Sequence, residues 1–212
     1  DAYDRYGRGQ DKETVVDPHA NRPARPRPAA ILLAAALLFG AVAAESVEIG
    51  DAVFPERTVI EGKTVPLRGA GLLEFLTIDL YAAAFYIEAD APARRTSLGT
   101  IPSRLEIEYF RRIPKKRIVE AAERMAQKNP VNDLQALRKR LDRIYAAFQT
   151  VNDGDRYRLD FVPGKGTTLS FNGRPVVTIP GKDFARAFFG LWLSDVPIDR
   201  DLRNQLWNEE EP

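Results

Sequence analysis

The chain contains no cysteine and a single histidine among its 212 residues. Without cysteine it has no disulfide, no thiolate nucleophile and no cysteine-ligated zinc. The histidine, His19, lies in the N-terminal segment, so the rest of the chain lacks the imidazole that a Ser-His-Asp mechanism or a histidine-ligated metal site requires. We therefore predict that the protein uses neither a metal nor a cofactor.

Neither sign of charge dominates the sequence. The formal net charge is +1 at pH 7, and residues 45–212 hold 25 basic and 25 acidic side chains. A neutral domain without a basic face argues against a nucleic-acid partner. One local basic cluster, formed by Arg111, Arg112 and residues 115–117, borders a predicted amphipathic helix. That position is more typical of a solvated helix face than of a binding site.

The N-terminal segment has the composition of an export signal. Three arginines between positions 22 and 27 precede an apolar run at 29–44 that ends in small residues. The run is shorter than the ~20 residues of a typical membrane span. We predict a signal peptide at 21–44, cleaved before Ala44 or Glu45, which leaves a periplasmic or secreted protein without a stable membrane span. An uncleaved anchor is the alternative. Residues 1–20 are interpreted as a polar, disordered extension.

Residues 45–212 alternate strand patterns with Gly and Pro turns around blocks of helical spacing. This order predicts one α+β domain, an open-faced β-sandwich with a mostly antiparallel sheet and a layer of helices on one face. Strands are predicted at 47–54, 58–60, 64–67, within 72–87, and at 105–110, 156–162, 167–171 and 176–179, with helices at 114–129, 134–148, 184–191 and 199–207.

Five short segments together carry a family resemblance. In chain order they are Leu67-Arg68-Gly69-Ala70-Gly71, the run from Leu80 to Ile87, Val-Pro-Gly-Lys-Gly at 162–166, Phe171-Asn172-Gly173, and the stretch from Phe184 to Pro197. Each is weak alone, but their order and spacing resemble the chalcone isomerase-like family over essentially the whole of residues 45–212. The leader resembles that of the exported bacterial branch of the family.

The resemblance implies a fold that hosts both an isomerase and relatives that bind fatty acids. In the isomerase, an arginine holds the substrate phenolate, and threonine and tyrosine hydroxyls polarise the ketone. Most matching positions here are apolar, and loss of one such donor typically lowers the rate by ~10²–10³. We therefore predict no catalytic residues and no flavonoid isomerase activity. The matching positions are Leu73, Tyr81, Ile113-Pro114, Ala121 and Leu191.

The resemblance also implies a cleft for a small apolar or fatty-acid-like ligand. The plant fatty-acid-binding relatives hold a carboxylate with an arginine and a tyrosine; Tyr81 matches the tyrosine, and Arg68 is the nearest substitute for the arginine. The alternative places Arg68 on the surface and Tyr81 in the core. Two other functions stay open: a protein-interaction module with a filled cleft, and a residual intramolecular lyase acting on a chalcone-like enone. The predicted ligand-binding residues are Arg68, Leu73, Tyr81, Tyr86, Leu191 and Trp192.

Overall fold

The computed structural model describes residues 45–91, 97–130 and 132–209, which belong to one compact unit. The predicted signal peptide and the polar extension lie outside the described residues. Seven strands form one sheet in which each strand pairs antiparallel with its sequence neighbour, from β3 at one edge to β9 at the other. The strands are β1 (Ser46–Ile49), β2 (Ala52–Pro55), β3 (Arg57–Ile60), β4 (Lys63–Phe75), β5 (Ile78–Ile87), β6 (Ser103–Tyr109), β7 (Arg156–Val162), β8 (Gly166–Phe171) and β9 (Arg174–Ile179).

Four helices in the described part of the chain complete the fold. They are α1 (Lys115–Lys128), α2 (Leu134–Ala147), α3 (Lys182–Leu193) and α4 (Arg200–Trp207). Pro114 stands immediately before α1, where its missing N–H costs no hydrogen bond. Asp133 and Asp199 cap α2 and α4, each accepting a backbone N–H from the first turn of its helix. The predicted α+β class with helices on one face of an antiparallel sheet is confirmed.

One predicted strand is wrong. The segment 47–54 is divided between β1 and β2, which pair with each other as a separate two-stranded sheet. Gly50 adopts a left-handed backbone with φ of 59°, and this conformation reverses the chain within the apparently continuous pattern. The run at 72–87 also contains a reversal, since it holds the end of β4, the turn at Leu76-Thr77, and all of β5.

Different elements cover the two faces of the sheet. All four helices pack against one face, here called the helix face, which carries Leu105 and Tyr157 in the main core. The other, the outer face, carries a smaller cluster in which Phe54 of β2 packs with Tyr86 of β5. Because side chains alternate along a strand, neighbouring residues of β5 belong to different clusters.

Gly69 and Gly71 allow α4 to lie directly on β4. A Cβ atom at Gly69 would overlap the carbonyl oxygen of Gln205, and one at Gly71 would overlap that residue's side-chain amide. Gln205 Oε1 in turn accepts the Leu72 backbone N–H at 3.1 Å. The Gly-x-Gly segment therefore serves close packing at a bulged strand. Among the described residues, no helix has the length and apolar character needed to cross a membrane.

Candidate functional site

A cavity of about 470 Å³ lies between the helix face of the sheet and helices α1 and α3. Its volume is in the range of ordinary small-molecule sites. Leu73 and Ile107 contribute to the sheet wall, while Ala122 and Met125 of α1 line the opposite side. These apolar groups come from strands and helices of the main core, so the cavity is part of the scaffold.

Six aromatic side chains form a closed circuit, and all of them except Phe188 line this space. Ring centroids are 5.5 Å apart for Tyr81 and Tyr109, 6.1 Å for Tyr109 and Tyr157, and 5.1 Å for Tyr157 and Phe148. Phe188 continues the circuit from Phe148 at 6.4 Å and reaches Trp192 at 6.2 Å. A hydrogen bond from Trp192 to Tyr81 closes it. Most of these contacts are edge-to-face and the Phe148–Phe188 pair is stacked, and both arrangements hold large side chains in fixed positions.

The Tyr81 hydroxyl is a polar group inside this apolar wall. It accepts the indole N–H of Trp192 at 2.9 Å, which leaves its own proton for another acceptor. Burial raises the pKa of Tyr81 well above its ordinary value, and the pKa of Tyr109 rises for the same reason. Both phenols are therefore neutral at physiological pH. They can donate hydrogen bonds to a ligand, but their surroundings disfavour an anion.

The third tyrosine of the circuit has a different role. The Tyr157 hydroxyl accepts the Gln149 backbone N–H at 2.6 Å and donates to the Gln149 carbonyl at 3.3 Å. Burial raises the pKa of Tyr157 to about 12. Since both hydrogen-bonding functions are used, this hydroxyl fastens the end of α2 to β7 and has little capacity left for a ligand.

The cavity reaches the surface at a mouth defined by three exposed side chains that also line it: Phe75, Arg117 and Arg124. Phe75 lies at the end of β4 and is 62% exposed. Arg117 and Arg124 are seven residues apart on α1, so they project from the same side of the helix. The mouth thus combines an apolar ring with two guanidinium groups.

Four of the six predicted ligand-binding residues line the cavity. Leu73 and Tyr81 are directly paired across β4 and β5, while Leu191 and Trp192 come from α3. The structure therefore brings together the position of the family arginine, the matched tyrosine and the matched part of the last helix. Contact of these four residues with a ligand stays a prediction.

Arg68 and Tyr86 do not line this cavity. Arg68 Nε donates to the carbonyl oxygen of Trp207 at 3.0 Å, beside a shallow depression on the surface. Tyr86 is buried in the outer-face cluster, and its hydroxyl has no hydrogen-bond partner in the described structure. The reason is strand periodicity: Tyr86 is five positions from Tyr81, and an odd separation places two side chains on opposite faces. At Arg68 a bulge between Leu67 and Gly69 adds a further shift.

Tyr109, Arg117 and Arg124 are cavity residues that sequence reasoning missed. Tyr109 ends β6 directly opposite Tyr81, a pairing that becomes visible only when the strand register is known. The two arginines carry a sequence signal, since they flank the apolar positions Ala121 and Ala122 at a seven-residue spacing on an amphipathic helix. Arg117 belongs to the basic cluster, and both arginines lie on a helix whose charged side chains are typical of a solvated face. The sequence alone therefore does not assign them to a site.

Two further properties limit the chemistry of the site. The side chains lining the cavity include phenols, an indole and guanidinium groups, with no carboxylate or imidazole among those the structure describes. Within the same described ranges, no group of three or more potential metal ligands converges. The arrangement is suited to holding an apolar molecule by its shape, with hydrogen-bond donors inside and positive charge at the mouth.

Fold and cavity together define an α+β protein with an apolar ligand cavity between a curled antiparallel sheet and its helices. A model of the chalcone isomerase-like family matches residues 46–207, and the chain belongs to that family. A solved structure of a fatty-acid binding protein from Arabidopsis thaliana is similar in fold, with a TM-score of 0.59. The two chains are 17% identical, and the match covers 77% of this chain and 96% of that one. No curated protein sequence matches the chain.

Proposed function

We propose that this protein binds a small apolar or fatty-acid-like ligand in the cavity and does not catalyse a reaction. The observation that carries the proposal is the apolar cavity of about 470 Å³ with guanidinium groups only at its mouth. The fold similarity to a fatty-acid binding protein supports the same class of ligand. An open cavity argues against the interaction module with a filled cleft.

The distribution of charge favours one orientation of the ligand. A carboxylate placed beside Tyr81 and Tyr109 would be surrounded by neutral groups in an apolar wall, and a buried anion without a cationic partner is costly. At the mouth the carboxylate keeps its water and meets Arg117 and Arg124. The alkyl chain then lies inside against Leu73. We therefore expect the headgroup to face outward.

The lack of catalysis rests on the polar groups that a chalcone isomerase-type reaction needs. Leu73 occupies the position matched to the arginine, and its side chain is 8% exposed in the cavity wall. No cation therefore stands at that position to hold a phenolate. The Tyr81 hydroxyl is the remaining candidate for a residual reaction. Turnover of a chalcone panel that disappears in Tyr81→Phe would contradict our proposal.

The first experiment asks whether the cavity is the binding site. Native mass spectra of the purified protein, recorded before and after organic extraction, should show a lipid or acid that is removed by extraction and restored by added fatty acid. Ala122→Phe places a ring in the cavity from α1 and should abolish the complex. Ala146→Phe adds the same ring at an exposed position of α2 and should leave it intact. An unliganded wild-type protein that rejects added fatty acids would contradict the proposal.

The second experiment tests the orientation with a matched pair of ligands. The double substitution Arg117→Ala, Arg124→Ala should weaken binding of a fatty acid by about twofold to tenfold, as expected for exposed ion pairs. Binding of the alcohol with the same chain length should not change, because it carries no charge. If Tyr81→Phe weakens acid binding while the double substitution does not, the headgroup faces inward and our orientation is wrong.

We also propose that the chain is exported and processed before Ala44 or Glu45. The support is the basic, apolar and small-residue order of the leader. Fractionation of cells that express the full chain, followed by the intact mass of the purified protein, tests this. A full-length protein in the cytosolic fraction would contradict export, and a full-length protein held in the membrane would indicate an uncleaved anchor.

A further inference from the structure

The hairpin tip, residues 75–78, exposes an unusual amount of apolar surface. Phe75 is 62% exposed, Leu76 77% and Ile78 42%. These are three of the six large hydrophobic side chains that are exposed in the described part of the chain, and they lie within four consecutive positions. Isolated exposed hydrophobic residues are ordinary, whereas a contiguous group marks a surface that contacts something other than water.

The backbone of this tip is also unusual. Leu76 and Thr77 have positive φ angles of 50° and 64°, a left-handed geometry that two-residue hairpin turns require and that Asn and Gly adopt most easily. A β-branched residue such as Thr77 adopts it only at a cost. The turn therefore carries local strain while it holds an apolar leucine at its apex, a combination typical of functional loops.

A basic segment, residues 111–117, lies beside the hairpin tip. Strands β5 and β6 pair through Tyr81 and Tyr109, so the residues after β6 are next to those before β5. Arg111 continues this contact, since its Nε donates to the carbonyl oxygen of Asp79 at 2.9 Å. Phe75 and Arg117 both line the cavity. The hairpin tip, the basic segment and the mouth thus form one continuous surface.

Cations outnumber carboxylates on this surface. The stretches 74–79 and 111–124 contain six arginine or lysine residues and four acidic residues. One of the four, Glu123, is occupied by Arg138 of α2 at 2.9 Å. Glu120 lies 3.9 Å from Lys116 and 3.4 Å from Arg117, both largely exposed pairs that water screens. Residues 45–212 are neutral as a whole, so the excess of positive charge is local to the mouth.

We propose that this surface docks the protein on a membrane that contains anionic lipids, with the hairpin tip inserted at the interface and the basic segment on the headgroups. Exposed aromatic and aliphatic side chains next to cations are what such an interface binds, and each cation near an anionic bilayer adds to the affinity. Docking would place the mouth of the cavity against the lipid. The docking itself does not depend on what the cavity holds.

The absence of cysteine allows a site-specific test with the full chain. Leu76→Cys, labelled with a polarity-sensitive fluorophore, should show a blue shift with vesicles of equimolar phosphatidylcholine and phosphatidylglycerol. The shift should be much smaller with phosphatidylcholine alone. Val59→Cys is the matched control, because Val59 is 57% exposed on β3 of the same sheet. A label at Val59 should not respond, even if the N-terminal apolar run binds the vesicles.

The contribution of charge is tested in the labelled Leu76→Cys protein. Adding Arg112→Glu and Lys116→Glu should weaken the vesicle response by at least about tenfold, because two cations leave the headgroup layer. Lys63→Glu with Arg174→Glu makes the same change in net charge at exposed positions outside this surface and should have little effect.

Every outcome of these experiments either supports membrane docking or contradicts it. A response at Leu76 that needs anionic lipid and is lost with the basic segment supports it. No response at Leu76, an equal response at Val59, or an equal loss in both charge-reversal variants overturns it. Capture of a protein partner at the labelled tip, without a response to vesicles, would also overturn it in favour of a protein interface. A protein that binds no fatty acid but still docks would contradict only the proposed function.

Discussion

The two faces of the sheet differ in the side chains that cover them. On the helix face, apolar and aromatic groups of the strands and helices surround a cavity of about 470 Å³. On the outer face, Arg104 and Arg156 form ion pairs across β6 and β7 with Asp160 and Glu106, and Arg158 pairs with Asp160 within β7. One face encloses an apolar cavity, and the other carries ion pairs beside its smaller apolar cluster.

This difference follows from the cost of leaving an apolar group or a charged group without a partner inside the protein. The side chains that line an apolar cavity lose only dispersion contacts, so such a cavity is tolerated and can take up an apolar ligand. Charged side chains near the centre of a sheet must be paired, because a buried charge without a partner is strongly unfavourable. We therefore expect ligand binding on the helix face, and we expect substitutions of the outer-face charges to change stability without changing binding.

The largest effect is expected at the outer-face arginine of β6. The Arg104 side chain donates to both Asp160 oxygens and to the Val59 carbonyl, and it also contacts Thr58. Arg104→Ala leaves the Asp160 carboxylate with Arg158 as its remaining partner, so we expect the free energy of unfolding to fall by about 3 kcal/mol. Urea unfolding measures it, and ligand affinity in the cavity should not change.

Arg104→Met combined with Asp160→Leu is the control for this prediction. Replacement of both charges by apolar groups leaves no carboxylate to desolvate, so the double variant should lose less stability than Arg104→Ala. A loss below about 1 kcal/mol in Arg104→Ala would mean that the ion pair is not needed on this face.

Much of this architecture could be predicted from the residues, and the gaps have specific causes. Asp133 and Asp199 mark helix starts by their capping chemistry, and Asn172-Gly173 marks a hairpin, so those elements are predictable from the sequence. The reversal at Leu76-Thr77 carries no such residue, although both residues adopt the left-handed backbone that Asn and Gly prefer. A turn without Gly, Asn, Asp or Pro cannot be recognised from the sequence pattern.

Site residues could be predicted where a single helix or strand segment identifies them. They could not be predicted where the pairing between strands decides which side chains meet. Tyr81 and Trp192 could be matched from local segments, and the structure joins them by a hydrogen bond. Nearness in sequence groups Tyr86 and Arg68 with them, although strand alternation places Tyr86 on the outer face and a bulge shifts Arg68. Tyr109 required the pairing of β5 with β6, which is a long-range property.

Tyr81 and Tyr86 provide a matched comparison within one strand. The Tyr81 hydroxyl accepts a hydrogen bond from Trp192, whereas the Tyr86 hydroxyl is buried without a partner in the described residues. Tyr81→Phe should lower the free energy of unfolding by about 1 kcal/mol, because the indole N–H loses its acceptor. Tyr86→Phe should leave it unchanged or raise it by up to about 1 kcal/mol, because an unsatisfied polar atom is removed.

Urea unfolding of the two Phe variants, with ligand titrations beside it, completes this test. Only Tyr81→Phe should alter the cavity, so only that variant is expected to change ligand affinity. Equal losses of stability in both variants would show that the Tyr86 hydroxyl has a partner, and the proposed difference between the faces would then fail at this strand.

The smallest effect is expected for an exposed ion pair between helices, which contrasts with the buried pair of the outer face. Arg140 of α2 donates to both Asp183 oxygens, and these hydrogen bonds lower the pKa of Asp183 from 3.8 to about 2. The lowered pKa stabilises the folded protein above pH 3.8, and this contribution is lost as the pH falls through about 2. The Asp183 side chain is 56% exposed, so solvent screening should hold the contribution below about 1 kcal/mol.

Asp183→Asn should therefore be slightly less stable than the wild type at pH 7 and should converge with it as the pH approaches 2. Urea midpoints measured for both proteins at each pH give the comparison. Arg140→Met removes the partner and should show the same convergence, while the double variant should add little to either single change. A separation between variant and wild type that persists at pH 2 would mean that the Asp183 side chain acts through packing or helix capping rather than through its charge.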